Sequence, residues 1–183
     1  MLTTIIGLGL ATPGHDWIQG YISTLSERTA PHRGLYVLGG TIAAGLHLLF
    51  VAWLGRRLES AWHGAAVAGL ALFFLLEWVA AAFLPCDADC AWITPTGMAH
   101  YAVSFAAFVA IGLGVILFSV HLWLDGHHTP AVHAMMGLIV AAAIGLLIAD
   151  LTGVWHGIVE RTLAVLLAGW VVAVYSARRA LRA

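Results

Sequence analysis

The sequence predicts an all-α fold, a polytopic bundle of transmembrane helices. Its 183 residues are 62% hydrophobic and 9% charged, with a mean hydropathy of +0.95; soluble domains run at roughly 45–50% apolar and about 25% charged. The apolar residues also fall into five stretches, each near the ~20 residues that a helix needs to cross a bilayer. A soluble fold of this size has no interior for so much apolar surface. That excludes a soluble enzyme, a nucleic-acid binder and a disordered tail. There is no lysine, the eight basic residues are all arginine and the formal net charge is −1, so no basic patch awaits nucleic acid. Barrel strands alternate polar and apolar residues with period two, and these stretches do not.

Residues 1–11 are apolar but too short to span, ending at Thr12-Pro13-Gly14. They lack the charged leader and small-residue cleavage site of a secretory signal. They read as an interfacial half-helix or as the end of a longer first helix, the second reading giving a six-span plan. Five full spans follow, at about 34–55, 61–84, 99–124, 131–152 and 157–176, in one domain covering 1–183. The breaks between them are Arg56-Arg57-Leu58-Glu59, Pro85-Cys86-Asp87, Asp125-Gly126 with the histidines that follow, and Gly153-Val154-Trp155-His156. Glycine and alanine inside the spans favour close helix–helix approach.

Arginine counting sets the expected orientation. Arg56, Arg57, Arg178, Arg179 and Arg182 lie on one side and Arg28, Arg33 and Arg161 on the other. The C-terminus is therefore expected in the cytoplasm of a cell (inner) membrane protein. The Ile18–Arg33, Pro85–Met98 and Thr152–His156 segments then face out.

Charge inside a span is expensive and marks function by default. Most acids gather at the expected outer end: Glu27, Glu77, Asp87, Asp89, Asp150 and Glu160, with Arg28, Arg161, Ser23, Ser26, His100 and His156 beside them. Arg161 begins the last span, and its neighbour Glu160 points about 100° away, so the two cannot pair well. A carboxylate from another segment is the expected partner, with Glu27, Glu77, Asp87 and Asp150 as candidates.

Three short motifs carry a resemblance. They are Tyr21-Ile22-Ser23-Thr24-Leu25-Ser26; Phe83-Leu84-Pro85-Cys86-Asp87 with Gly97-Met98-Ala99-His100; and Gly157-Ile158-Val159-Glu160-Arg161. In this order and at helix ends, the chain resembles the membrane-protein family called domain of unknown function 998, from about His15 to Tyr175. Thr24 stands where the family has an acid and Ser26 where it has glycine, so Glu27 is the substitute carboxylate. The resemblance implies a six-span fold and a residue set, with no reaction attached.

The remaining chemistry stays open between readings. Cys86 and Cys90, the only cysteines, could close a small ring in an oxidising compartment; two free thiols, or a zinc site with His100, are the alternatives. His47 with His121, or His100 with His156, would be the haem pairs. A metal-dependent lipid hydrolase would draw on His100, His156, Asp87 and His15 or Asp150, but no sharp metal-ligand spacing is present. Trp62-His63-Gly64 recurs as Trp155-His156-Gly157, which interfacial placement of Trp and His explains. The leading expectation is an outer polar pocket for a lipid head group or other amphiphile, with membrane lipid as the partner and no cofactor or metal assigned. A purely structural polar lock is the competing reading; protein partners are not specified by the sequence.

Overall fold

The computed structural model describes residues 2–56, 60–126, 130–152 and 154–180, and the side chains of 5–56, 60–126, 130–146, 148, 149, 152 and 154–176. Arg57, Glu59 and Arg182 of the arginine and acid counts lie outside the described residues, as do the side chains of Asp150, Arg178 and Arg179. The described chain is all helix and loop. Six α-helices run in order: α1 (Leu2–Ala11), α2 (Arg33–Gly55), α3 (Ala61–Phe83), α4 (Pro95–Leu124), α5 (Pro130–Thr152) and α6 (His156–Ala180). Short 3-10 turns at Ile22–Ser26 and Ala88–Cys90 lie between α1 and α2 and between α3 and α4.

Among the described residues, α2, α3, α4 and the His156–Ser176 part of α6 are long and apolar enough to cross a membrane; the described apolar stretch of α5, Pro130–Leu146, is shorter. The exposed faces agree with immersion in lipid. Leu35, Leu38, Ile42, Leu46 and Leu49 recur every three or four residues along α2, all more than half exposed, which is one helix face turned outward. Trp62 and Trp123 are exposed at one end of the bundle and Trp92 and Trp155 at the other, where indoles suit the two interfaces. This is an integral membrane protein.

Local signals explain the helix limits. Ser60 caps α3 by accepting from the His63 amide at 3.1 Å. Thr94 caps α4 by accepting from the Gly97 amide at 3.1 Å, with Pro95 as the first helical residue, where its missing N–H costs nothing. That cap starts α4 four residues before the expected Ala99. Helix α6 also continues beyond the expected Ser176, to Ala180.

Neighbouring helices pack in chain order, α3 against α4 most extensively and α5 against α6. The α3–α4 crossing depends on Gly69 and Gly114: a Cβ on Gly114 would lie 3.0 Å from the Leu70 amide nitrogen, and one on Gly69 2.9 Å from the Ala110 carbonyl oxygen. The close-packed core fills the end of the bundle near Arg56, where Leu54, Val115, Phe118, Val132, Trp170 and Val174 are almost wholly buried. Phe118 meets Trp170 edge-on at 5.6 Å, tying α4 to α6. The opposite end carries both 3-10 turns and a second, smaller buried cluster of Ile5, Ile22, Leu25 and Tyr36.

Gly114→Leu is expected to lower the melting temperature in detergent by wedging α3 from α4, an overpacking cost of about 1–3 kcal/mol. Gly112→Leu on the same helix should leave it unchanged, because a Cβ there meets nothing within 4 Å. Thermal unfolding of the two purified variants compares them directly.

Candidate functional site

The start of α6 grips the segment between α1 and α2. Arg161, in the second turn, donates from Nη1 to the Trp17 and Gly20 carbonyls at 3.2 and 3.0 Å. Its Nη2 donates to His15 Nε2 at 2.6 Å, and its Cζ lies 4.8 Å from the centre of the Trp17 ring. Nε is buried with no partner among the described residues. Among the described residues, main-chain carbonyls and an imidazole surround this guanidinium in place of Glu27, Glu77 or Asp87; the side chain of Asp150, the fourth expected candidate, lies outside them. The physical reason is the loop itself. Its carbonyls have no helical donors, and at a membrane end each needs one; a fork of N–H groups supplies several at once.

Glu160 points to the neighbouring sector of the helix and accepts from the Ile22 amide at 2.6 Å, at the first residue of the 3-10 turn. Ile158 N–H donates to the Ile18 carbonyl at 3.2 Å and Trp155 N–H to Gln19 Oε1 at 2.6 Å. The His156 ring lies 4.6 Å from that of Tyr21. Gly157 makes this approach feasible, since a Cβ there would collide with the Gly20 carbonyl oxygen and Arg161 Nη1.

The loop before α4 is built on other predicted residues. Asp87 accepts from the Ile93 and Thr94 amides at 3.0 and 2.8 Å and from the Thr94 hydroxyl at 2.6 Å. The Thr94 hydroxyl, then the Thr94 and Ile93 amides, hold the Asp87 carboxyl below its usual range, with exposed Arg28 adding to the shift. Glu27 accepts from the Asp89 amide at 2.8 Å, while burial raises its carboxyl above the ordinary value. Ser26 donates to the Ser23 carbonyl at 2.7 Å, and Arg33 bridges the Ser26 and Ala82 carbonyls, each at 3.1 Å. His100 is buried and bonded through Nδ1 to the Leu84 carbonyl at 2.5 Å. Cys86 and Cys90 are joined by a disulfide.

These contacts bear on the metal and haem readings. Among the described residues, the one group of three ligand types with atoms within 4.8 Å of one another is Glu27, Cys86 and Cys90, and its sulfurs are bonded to each other. Among the described residues the expected hydrolase set does not converge: Asp87 serves the loop, His100 the Leu84 carbonyl and His15 the Arg161 fork, and the Asp150 side chain lies outside them. His47 bonds to Ala43 O at 2.7 Å and stacks on Phe74 at 4.3 Å, whereas His121 stacks on His63 at 4.6 Å. Ser60 and Asp125 both approach Nδ1 of His121, at 3.4 and 3.3 Å, so they do not bracket the ring as a nucleophile and an orienting acid must.

Beneath the turns lies a cavity of about 480 Å³. Its walls come from α2 to α6, and its body is apolar, with Phe50, Leu70, Phe73, Phe108, Leu146 and Leu167 among the lining. The polar groups lining it include Tyr21, Ser23, Tyr36, Glu77, His100 and Glu160 at the end near the turns. Glu77 Oε1 is buried there without a hydrogen-bond partner among the described residues; the side chain also borders a smaller void of about 40 Å³ between α2 and α3. Trp170 lines the cavity farther toward the Arg56 end, with its indole Nε1 likewise buried and unpartnered among the described residues.

The predicted polar set thus divides by role. Ser23, Glu77, His100 and Glu160 meet at the cavity, while Ser26, Glu27, Arg28 and Asp87 belong to the loops above it. Arg161 and His156 bind the 15–22 segment. Residues absent from that set include Tyr21, Tyr36, Tyr101 and Trp92 at the cavity, Trp17 under Arg161, and Arg33. Tyr36 and Tyr101 sit in stretches that composition alone reads as apolar. The spacing of buried Tyr36, Ala43 and Val51 along α2 was the available signal.

Fold and site together define a helical integral membrane protein with an amphipathic internal cavity. The family described as Protein of unknown function (DUF998) matches residues 1–177, and the chain belongs to it. Neither the curated proteins nor the solved structures gave a match.

Two outcomes test the Arg161 geometry. Arg161→Lys should lower the melting temperature nearly as far as Arg161→Ala, because one ammonium cannot reproduce the fork; each stranded carbonyl costs about 1–3 kcal/mol. Arg56→Ala, at an exposed position, should have little effect. Burial, then the Arg161 charge, lowers the His15 pKa from its ordinary 6.5. The unfolded chain therefore takes up this proton more readily than the folded one, and acid favours unfolding. The contribution is intact above pH 6.5 and declines below it toward the depressed folded value. Melting curves at pH 7.5 and 5.5 should differ more for the wild type than for His15→Gln.

Proposed function

We propose that this protein binds a membrane lipid or similar amphiphile inside the bilayer. The polar head lies against Glu77, Glu160, Tyr36 and His100, and the chain runs along the apolar walls toward Trp170. The observation that carries this reading is the cavity: about 480 Å³ of mostly apolar space ending at a carboxylate oxygen that has no partner among the described residues. A mostly apolar space of this size suits the chain of an amphiphile, and the few polar groups at one end suit its head.

The topology of this proposal is five spans, α2 to α6, with α1 as a half-helix belonging to a six-span plan. The C-terminus lies in the cytoplasm of a cell (inner) membrane, supported by the arginine asymmetry. The cavity's polar end then faces the outer leaflet, from which a lipid enters. The polar-lock reading is favoured only for Arg161, whose Nη groups are occupied by the chain's own acceptors.

Native mass spectrometry of the protein released from mild detergent should find bound lipid. Ala164→Trp, which fills the cavity from α6, should lose that lipid while keeping its helical content. A lipid-free wild type, or a variant that retains as much lipid as the wild type, would contradict the proposal.

A further inference from the structure

The cavity's polar end carries chemistry that narrows its ligand class, an inference that rests on the amphiphile reading above. Two carboxylates, Glu77 and Glu160, line it, and neither arginine nor lysine is among its lining residues. Arg161 follows Glu160 in sequence but spends its Nη donors on Trp17, Gly20 and His15. His47 and His100 each engage a main-chain carbonyl through Nδ1, which leaves Nε2 as an acceptor in the neutral ring. The carboxylates and these imidazole nitrogens are thus acceptors, the hydroxyls can play either part, and the Trp92 indole is a donor. Aromatic faces complete the wall: Trp92 and Tyr101 stack at 4.4 Å, and Tyr21, just before the turn, and Tyr36 on α2 also line it.

A phosphate, sulfate or carboxylate head would meet two carboxylates, while the neighbouring cation, Arg161, directs its Nη donors to the chain's own acceptors. A neutral hydroxyl could satisfy one acceptor. A protonated amine supplies three donors and a full positive charge to the buried Glu77 oxygen, in a low-dielectric site where charge-assisted hydrogen bonds are strongest, and it gains from the aromatic faces.

We infer that the site is selective for a primary ammonium carried on an alkyl chain, with Glu77 as its counter-ion and Glu160 as the second carboxylate of the same site. The ammonium could belong to a lipid head group or to a free long-chain amine.

Three ligands of equal chain length isolate the head: decylamine, decanol and decanoate, titrated at pH 7.5 into protein in a non-ionic detergent. Binding is read by calorimetry. Decylamine should bind about tenfold or more tightly than decanol, as a charge-assisted hydrogen bond implies, and decanoate more weakly than both. Glu77→Gln should abolish the preference for decylamine over decanol; Glu77→Asp should restore part of it. Equal binding of the three ligands by the wild type, or a preference for decanoate, would overturn the ammonium assignment while the amphiphile reading stands. Failure of all three to bind would overturn both. In nanodiscs, retention of phosphatidylethanolamine over phosphatidylglycerol would place the amine on a lipid; decylamine selectivity without that preference would place it on a free amphiphile. Either source supports the inference.

Discussion

The structure depends on a single constraint: the loop carbonyls of Trp17 and Gly20 lie at the end of a membrane bundle and need donors. Arg161 supplies them, and Gly157 leaves the space for the approach. The segment between α1 and α2 is thereby fixed to α6, while Glu160 takes the Ile22 amide. The Ile22–Ser26 turn then touches α1, α2, α3, α6 and the second 3-10 turn. It holds the helices together at that end without filling the space between them.

The two ends of the bundle consequently solve different problems. Near Arg56, small residues and interlocked aromatics close the interior. At the other end, the turns and a smaller buried cluster form a roof, with the cavity beneath it. Lipid chains are as apolar as leucine, so helix association in a membrane draws on packing and hydrogen bonds. A gap between packed helices is costly there as it is in a soluble core, unless something occupies it. The polar network of Arg33, Asp87, Glu27 and Arg161 supports the roof. Glu77, whose Oε1 has no partner among the described residues, is the residue that this support leaves over.

The sequence disclosed the architecture well and the site unevenly. Hydropathy and breaks located the helices within a few residues, because span length and composition are local properties. It also marked the acids at one end, because charge within an apolar run stands out. It could not assign them roles. Whether Asp87 caps a loop or faces a cavity depends on where Thr94 comes to lie, and that is a tertiary matter. The carbonyl partners of Arg161 went unread for a related reason: sequence reasoning counts charged side chains as partners, while loop carbonyls exist at every residue and leave no mark. Tyr36 was hidden because an aromatic residue in an apolar stretch reads as core, whichever way its hydroxyl points.

An experimentally determined map of the wild-type protein in lipid nanodiscs would test the account most directly. It predicts continuous density in the cavity, compact beside Glu77 and extended along Phe73, Phe108 and Leu167 toward Trp170. A cavity collapsed by closure of α6 onto α3 and α4, or one holding only discrete waters along its apolar walls, would contradict it.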